Sequence, residues 1–270
     1  MDAKTYFEKI KEYKLLAKKE VGQNFLIDYS LAEKIVDSLD IQPEDQSLEI
    51  GSGAGSLTYF LLEKGAKGVA IDIDEALITK LQNDFPIPSM KLVIGNALEI
   101  PLEPFSKIIG NLPYYITNSL LERILLEDDN LETAVVMVQK EAAARLLAKE
   151  GNKDYGPLNV ILNYYFDAKL ILRAIPDCFT PKPHISSSVI LIKAKESKEL
   201  GLKKAFYQFL KMVFKHRRKT ILFNLSESLL SKELANKVLT ESNIEKTTRA
   251  EQLNAQQLFT LFSNCNTISN

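Results

Sequence analysis

The sequence predicts an α/β fold in which helices cover both faces of a largely parallel sheet. Short apolar segments of strand length alternate with helical segments through most of the 270-residue chain, the order that βαβ units produce. A glycine-rich turn joins the first predicted strand to the next helix, where a ligand can approach the backbone closely. Past about residue 200 the pattern is helical, which predicts a smaller second domain.

Each predicted element depends on a local pattern. A stretch rich in Lys and Glu predicts a surface helix over residues 4–20, and Asp28 or Ser30 would cap the next helix, roughly 30–39. Apolar runs predict strands at 47–50, 68–72, 91–94, 107–110, 133–138 and 189–193. Further helices are predicted at 57–62, from 139 to about 149, in the first part of 158–174, and around 206–214.

Composition is that of an ordinary globular protein. Hydrophobic residues make up 46% and charged residues 26% of the sequence, and no apolar run approaches the roughly 18 residues of a membrane span. The charged N-terminus lacks an apolar segment, so we expect no signal peptide and a cytoplasmic location. Cys178, Cys265, His184 and His216 show no metal-binding spacing, so we expect neither a metal site nor a disulfide.

The net charge of −1 conceals an uneven distribution. Residues 197–270 contain 12 Lys and Arg but 6 Asp and Glu, a net charge of +6, so residues 1–196 carry −7. A charged hinge at 195–201 separates two predicted domains, one over 1–196 and a basic helical one over 197–270. This asymmetry indicates a local contact with a polyanion.

The glycine-rich turn, residues 51–56, has the sequence GSGAGS. Because Ser56 stands where the dinucleotide pattern G-x-G-x-x-G requires glycine, the turn differs from that of nicotinamide-dependent oxidoreductases. Glu49 would repel a pyrophosphate but can accept hydrogen bonds from an ammonium group or hold the loop. Together with Gly51 and Gly53, it favours a zwitterionic amino-acid ligand such as the methionyl part of S-adenosylmethionine.

Polar residues follow the second and third of these strands. Asp72 lies about 20 residues beyond the glycine-rich turn, the separation at which a strand-end carboxylate meets ribose hydroxyls. Asn96 is either a partner for an adenine edge or an ordinary turn residue, and the sequence leaves both interpretations open. Asp74 is interpreted as a helix cap.

The fourth strand leads into Asn111-Leu112-Pro113-Tyr114. Pro113 lacks an N–H and pushes Leu112 toward an extended geometry that can turn its carbonyl outward. The Asn111 side chain, that carbonyl and the flat face of Tyr114 can together hold a planar amino group and stack on the base that carries it. Taken alone, the four residues also fit an ordinary strand-end turn.

Two later segments carry further candidates. Prolines stiffen the loop around Phe179, whose simplest interpretation is a core anchor. The predicted helix around 206–214 ends in a basic segment composed of Lys215, His216, Arg217, Arg218 and Lys219. A basic segment of this kind suits contact with phosphate and RNA, although a solvated helix end is the alternative.

Taken together, these segments resemble the ribosomal RNA adenine N6-dimethyltransferase family. The resemblance extends from Gly22 to about Leu261, and its motifs occur in the family's order. They are GQNFLID at 22–28, LEIGSGAGSLT at 48–58, NLPYYIT at 111–117, QKEAAARL at 139–146, KDYGPLNV at 153–160, FTPKPHISSSV at 179–189, HRRKTILFNL at 216–225 and RAEQL at 249–253.

The resemblance implies a Rossmann-like, seven-stranded class I methyltransferase sheet with a small all-helical C-terminal domain, and S-adenosylmethionine as the cofactor. The implied cofactor site comprises Asn24, Leu26, Glu49, Gly51, Gly53, Asp72, Asn96 and Asn111. Asp72 stands where the family more often has Glu, and Asn96 where Asp is usual. Both keep an acceptor oxygen, so these departures bear on cofactor affinity rather than cofactor identity.

On the substrate side, the resemblance implies that Asn111 and the Leu112 carbonyl hold the target amine while Tyr114 stacks on its base. Pro113 shapes this turn, and Phe179 matches a second aromatic residue near the target base. The residues that would dock on rRNA phosphates are Lys215, Arg217, Arg218 and Lys219.

The implied activity is the transfer of two methyl groups to N6 of each of two adjacent adenosines in the hairpin loop near the 3′ end of small-subunit (16S) rRNA. The expected partner is this rRNA or the assembling small subunit, with no membrane or metal, and a monomer is expected. A related class modifies large-subunit rRNA and confers macrolide resistance, but the HRRKTILFNL segment and the C-terminal length favour the small-subunit enzyme. A non-catalytic ribosome-assembly factor is disfavoured by the intact 111–114 motif.

Overall fold

The computed structural model describes residues 2–13, 17, 23–84, 89–127, 129–196 and 200–269. The chain forms two compact units. The first comprises Met1–Ala143 and Ala168–Ala194, and the second comprises Ala144–Asp167 and Lys195–Asn270. Residues 144–167 therefore group with the C-terminal helices, which the sequence-based boundary after residue 196 did not include. The assignment of catalysis to 1–196 and RNA docking to 197–270 stays a prediction.

The predicted alternation of strands and helices is present. The strands are β1 (Phe25–Leu26), β2 (Gln46–Ile50), β3 (Lys67–Asp72), β4 (Met90–Ile94), β5 (Lys107–Asn111), β6 (Thr133–Gln139), β7 (Phe166–Ala174), β8 (Phe179–Thr180) and β9 (Ser187–Ala194). The helices are α1 (Ala3–Glu12), α2 (Tyr29–Asp37), α3 (Ser56–Glu63), α4 (Glu75–Asp84), α5 (Thr117–Leu126), α6 (Lys140–Leu146), α7 (Pro157–Tyr165), α8 (Lys203–Val213), α9 (Ile221–Leu229), α10 (Lys232–Glu241) and α11 (Ala255–Ser269). Short 3₁₀ helices lie at Pro176–Cys178, Leu200–Leu202 and Ala250–Gln252.

Seven strands form one sheet in the order β4-β3-β2-β5-β6-β9-β7. The pairs from β4 through β6 are parallel, and β9 lies antiparallel to β6. The chain runs outward from β2 to β3 and β4, and then returns to the other side of β2 as β5. The carboxyl ends of β2 and β5 therefore flank the point where the strand order reverses, which is where open α/β sheets bind ligands.

Strand β2 shows how the sheet is buried. Ser47, Leu48, Glu49 and Ile50 are all buried, so neither face of this central strand is solvated. Burial of a strand on both faces is typical of a parallel sheet, and here it includes the polar side chains of Ser47 and Glu49. The same burial places the Glu49 carboxyl in the protein interior.

The N-terminal helix is shorter than predicted. Helix α1 ends at Glu12, whereas the prediction ran to residue 20, and residues 14–16 and 18–22 lie outside the described part of the chain. Phe7 of α1 packs against Tyr59 and Phe60 of α3, with ring centroids 6.5 and 5.9 Å apart. Aromatic contacts of this kind attach α1 to the core of the first unit.

A small antiparallel ribbon of β1 with β8 was not predicted. Leu26 pairs with Phe179 and Phe25 pairs with Thr180. The amide of Ile27 extends the ribbon by donating to the carbonyl oxygen of Cys178 at 2.8 Å. Each strand has two residues and its partner is distant in sequence, so no local pattern could have revealed the pairing.

The second unit is helical beyond residue 200, as predicted. Its core contains Tyr164 stacked on Phe259 with ring centroids 4.2 Å apart, and Phe206 meets Phe259 edge-on at 5.1 Å. The basic segment, residues 215–219, forms turns after α8 rather than a helix end. No helix in the described ranges is long and apolar enough to cross a membrane.

Candidate active site

A pocket lies at the carboxyl ends of β2, β3 and β5 in the first unit and holds about 770 Å³ of empty space, part of it open to solvent. Ten residues named from the sequence line it: Asn24, Leu26, Glu49, Gly51, Gly53, Asp72, Asn111, Leu112, Pro113 and Tyr114. Eight others also line it: Gln23, Phe25, Ser52, Ala54, Ser56, Leu57, Ile73 and Tyr115. The predicted cofactor and target residues therefore largely converge on one site.

The glycine-rich turn needs its glycines at this pocket. Gly51 and Gly53 have φ angles of +74° and +52°, in the left-handed region that side chains with a Cβ rarely adopt. A Cβ on Gly51 would lie 3.3 Å from the carbonyl oxygen of Asn111. The amides of Gly51 and Ser52 both donate to the carbonyl oxygen of Ile71, at 2.9 and 3.2 Å. The turn is therefore held tightly against both neighbouring strands.

Asp72 holds the glycine-rich turn from the end of β3. Its two carboxylate oxygens accept hydrogen bonds from the amides of Gly53 at 2.8 Å and of Asp74 at 2.9 Å. Burial raises the pKa of Asp72, and these two amide bonds oppose that shift. Each oxygen keeps a further lone pair, so Asp72 can hold the turn and accept ribose hydroxyls at once.

Glu49 is a buried carboxyl at the base of the pocket. It is 1% exposed, and Thr58 Oγ1 donates to Oε2 at 2.6 Å. Burial raises its pKa to about 7; the Thr58 hydroxyl opposes the shift, and the charge of Asp72 adds to it. A cation beside such a carboxyl, for example an ammonium group, would stabilise its charged form.

Asn111 is oriented by the segment that contains β1. Its Nδ2 atom donates to the carbonyl oxygen of Asn24 at 3.3 Å. This bond leaves Oδ1 as the acceptor that Asn111 offers to a ligand. The side chain is thus set to receive a hydrogen bond from a bound amine.

The Leu112 backbone is fixed by its neighbours. Its amide donates to the carbonyl oxygen of Met137 at 3.0 Å, while the carbonyl of Pro113 accepts from Thr117 Oγ1 at 2.9 Å. No hydrogen bond from another described residue reaches the Leu112 carbonyl oxygen. The expected second acceptor is therefore available.

Two tyrosines stand at the mouth of the pocket. Tyr114 is half-buried, and its hydroxyl lies 3.5 Å from Ser187 Oγ. Tyr115, which sequence reasoning did not single out, is 60% exposed and also lines the pocket. The repeated tyrosine in the NLPYYIT motif was the available signal for it.

Asn96 and Phe179 do not line the pocket. Asn96 accepts from the amide of Leu98 at 3.0 Å and donates to Glu99 at 2.9 Å, which is the geometry of a turn residue. Phe179 is 3% exposed and belongs to the core cluster. The structure thus supports the local interpretation of each residue, and their roles at adenine and at the target base stay predictions.

The residues present fit S-adenosylmethionine. A side chain on Gly51 would fill space beside Asn111, Ser52 Oγ is buried with no hydrogen-bond partner among the described residues, and Glu49 can accept from an ammonium group. Asp72 keeps acceptor capacity for ribose hydroxyls. Acceptors for a cation, a sugar and an amine therefore surround one pocket.

The basic segment belongs to the second unit, and its cations differ in their contacts. Lys215 pairs with Glu227, and His216 Nε2 lies 3.0 Å from the other oxygen of that carboxylate. Arg217 donates to the carbonyl oxygens of Lys153 at 2.5 Å and Tyr155 at 2.9 Å.

The next two cations of the segment are exposed. Arg218 and Lys219 both face solvent, and Lys219 Nζ lies 5.4 Å from the centroid of the Phe223 ring. Lys215 and Arg217 are exposed as well, so all four cations are accessible candidates for RNA contact.

Comparison with known proteins gives one consistent result. A family model described as ribosomal RNA adenine dimethylase matches residues 14–267. The protein named ribosomal RNA small subunit methyltransferase A from Alkaliphilus metalliredigens is 36% identical over 266 residues, 93% of each chain. The protein of the same name from Clostridium acetobutylicum is 34% identical over 257 residues, covering 92% of this chain and 93% of that one.

Two solved structures share the fold. A dimethyladenosine transferase from Plasmodium falciparum superimposes with a TM-score of 0.78 at 24% identity, covering 89% of this chain and 96% of that one. The 23S rRNA methyltransferase ErmE superimposes with a TM-score of 0.68 at 23% identity, covering 90% of this chain and 100% of that one. At these identities the likeness shows the fold alone, and it confirms the predicted seven-stranded methyltransferase sheet with a helical C-terminal region.

Proposed function

The chain belongs to the ribosomal RNA adenine dimethylase family, and from that premise we propose that it dimethylates small-subunit rRNA. It transfers methyl groups from S-adenosylmethionine to N6 of two adjacent adenosines in the 3′-terminal hairpin loop. The relatives at 34% and 36% identity are named as small-subunit methyltransferases, which supports this substrate over large-subunit rRNA. The reaction belongs to ribosome biogenesis.

The orientation of Asn111 is the observation that carries the proposal. Its amide nitrogen is engaged by Asn24, so its oxygen and the Leu112 carbonyl form two acceptors at the end of β5. Two acceptors side by side match the two hydrogens of an exocyclic amine. An adenine amino group can donate one hydrogen to each acceptor. A base edge that carries a carbonyl would instead place its own acceptor oxygen against these two acceptors.

These acceptors suit an amine that is a poor nucleophile. The N6 lone pair of adenine is delocalised into the ring. Hydrogen bonds to Asn111 and to Leu112 would draw the amine toward tetrahedral geometry and make that lone pair available. The new N–C bond would form as the S–C bond of the sulfonium breaks. No strong base is needed, because the N6 proton becomes acidic only as the new bond forms and can then pass to water.

The pocket also holds the reacting groups in place. When bound, S-adenosylmethionine supplies an electrophilic methyl group. Glu49, Gly51 and Asp72 would bind and orient the cofactor, while Asn111 fixes the amine. Holding two reactants in a reactive geometry can lower a barrier by several kcal/mol.

The target base must leave its stack to reach this pocket. Unstacking costs a few kcal/mol and costs less in a loop than in a duplex. Stacking on Tyr114 would return roughly 1–3 kcal/mol. A hairpin loop is therefore a better substrate than a continuous helix.

The basic segment would dock on rRNA phosphates. Residues 197–270 carry a net charge of +6, and Arg218 and Lys219 are exposed. Binding through phosphates should weaken steeply with salt, because the protein displaces counterions from the RNA. We also propose that the protein acts as a monomer in the cytoplasm and that its substrate is the assembling small subunit.

Transfer of labelled methyl groups tests the proposal directly. Under-methylated small subunits and under-methylated large-subunit RNA would be incubated in parallel with the protein and labelled S-adenosylmethionine. The proposal expects label on the small subunit alone. Label on the large-subunit RNA would instead support the resistance class, and no label with cofactor still bound would support an assembly factor.

A further inference from the structure

Tyr6 of helix α1 reaches the glycine-rich turn. Its hydroxyl donates to the carbonyl oxygen of Ala54 at 2.6 Å, and the residue is 1% exposed. Its ring stacks on Tyr59 of α3, with centroids 5.1 Å apart and an interplanar angle of 17°. The N-terminal helix thus makes a buried, directional contact with the backbone that lines the pocket.

Ala54 lies where the turn is conformationally most permissive. Its neighbours Gly53 and Gly55 have φ angles of +52° and +80°. Glycine visits such conformations readily but also many others, so the turn needs external contacts to hold one shape. A buried carbonyl held at 2.6 Å by an ordered side chain supplies such a contact.

Other contacts hold the first half of the turn and its last residue, Ser56, whose Oγ donates to the carbonyl oxygen of Leu26 at 2.6 Å. The Ile71 carbonyl accepts from the amides of Gly51 and Ser52, and the Asp72 carboxylate accepts from the amide of Gly53. Tyr6 of α1 holds the part between these contacts, because its hydroxyl donates to the backbone carbonyl of Ala54. Burial raises the pKa of Tyr6 far above its ordinary value, so the hydroxyl remains a donor at any working pH.

Helix α1 lies outside the family match, which begins at residue 14. We propose that Tyr6 is a positioning residue that holds the glycine-rich turn in its cofactor-binding conformation. The identity of the ligand rests on the proposed function. Without the Tyr6 hydroxyl, the turn adopts its binding-competent conformation in a smaller fraction of the protein molecules. The apparent affinity for the cofactor falls in proportion to that fraction.

Tyr13, the residue that caps the C-terminus of the same helix, provides a matched control. Its hydroxyl donates to Asp84 Oδ2 at 2.5 Å, and Lys9 Nζ lies 2.5 Å from the other oxygen of that carboxylate. These contacts attach α1 to α4, not to the glycine-rich turn. Tyr13→Phe therefore removes one partly buried hydroxyl contact at the end of α1 while leaving Ala54 untouched.

The test compares wild type, Tyr6→Phe and Tyr13→Phe as full-length proteins. Phe keeps the ring and its stacking, so both variants should fold, as circular dichroism and thermal unfolding would verify. Binding of S-adenosylmethionine would be measured by calorimetry, and KM and kcat by methyl transfer. Tyr6→Phe should bind the cofactor roughly 3- to 10-fold more weakly, the effect of losing one ordinary hydrogen bond.

The kinetic pattern separates positioning from a purely structural role. Tyr6→Phe should raise KM for the cofactor and leave kcat at saturating cofactor near the wild-type value, whereas Tyr13→Phe should change neither. Wild-type affinity in Tyr6→Phe, or equal weakening in both variants, would overturn the inference. Failure of the wild type to bind S-adenosylmethionine would instead overturn the proposed function.

Discussion

The side-chain amide of Asn111 donates from Nδ2 to the backbone carbonyl oxygen of Asn24, 3.3 Å away. This bond joins the end of a central strand to the segment just before β1. Because Nδ2 is engaged in this bond, the atom that the Asn111 side chain offers to a ligand is Oδ1. The proposed chemistry needs that oxygen as an acceptor.

Replacing Asn111 by Ala should abolish methyl transfer while leaving cofactor binding nearly intact. Loss of one positioned group of this kind lowers kcat by about 100-fold or more. Asn118→Ala, an exposed Asn on helix α5, is the control and should behave as wild type. Steady-state transfer and calorimetric cofactor binding check both variants, and normal turnover by Asn111→Ala would rule out the mechanism.

Glu49 should make folding stability depend on pH. Its pKa is about 7 in the folded protein against an ordinary value of 4.5. A carboxyl with a raised pKa binds its proton more tightly when folded, so its stabilising contribution is full below pH 4.5 and is lost as pH rises to about 7.

The Glu49→Gln variant lacks this titration. The Tm of Glu49→Gln should rise relative to that of the wild type as pH increases from 4.5 to 7. Above pH 7 the difference between the two Tm values should stay constant. Thermal unfolding in a series of buffers measures it. A difference that stays constant over this range would contradict the raised pKa.

Gly51→Ala should impair cofactor binding through two effects. The φ angle of +74° is strained for Ala, and the new Cβ would lie 3.3 Å from the Asn111 carbonyl oxygen. Gly65→Ala is the control, because Gly65 has a φ angle of +72° with nothing within 4 Å of an added Cβ. Each variant should lose about 1–2 kcal/mol of unfolding free energy, measured by denaturant titration, but Gly51→Ala alone should lose cofactor affinity in calorimetry.

Replacing Arg217 and replacing Arg218 should have different effects, one on folding stability and the other on RNA binding, although the two residues are neighbours. Arg218→Ala should weaken RNA binding and reduce the slope of log affinity against log salt by about 1, with unchanged stability. Arg217→Ala should lower the unfolding free energy by roughly 1–2 kcal/mol, because the carbonyls of Lys153 and Tyr155 lose a charged donor. RNA titrations at several salt concentrations, with thermal unfolding, separate the two effects. Equal stability losses would contradict the distinction.

The sheet was predictable because its central strands are covered on both faces. Continuous apolar runs such as Lys107–Asn111 and Thr133–Gln139 were recognised within one residue at each end. The β1–β8 ribbon was missed because its pairing is tertiary, between two-residue segments. Helix α1 was predicted too long, since the Lys- and Glu-rich pattern continues past Glu12.

The site was predictable where chain order and sheet topology together fix position. Asp72 and Asn111 are the last residues of β3 and β5, the strands on either side of β2, and the parallel order brings these strand ends to one pocket. Asn96 also follows a strand, but local bonds to Leu98 and Glu99 engage its side chain. The Tyr6 contact with Ala54 depends on helix packing that no spacing in the sequence encodes.

Mapping the modified nucleotides tests the central claim most directly. Under-methylated small subunits would be treated with the protein and S-adenosylmethionine, and the 3′-terminal rRNA fragment would be analysed by tandem mass spectrometry. The account predicts N6,N6-dimethyladenosine at two adjacent positions of the hairpin loop, and no methylated adenosine there with Asn111→Ala. Methylation of another base, or dimethylation that persists in Asn111→Ala, would contradict it.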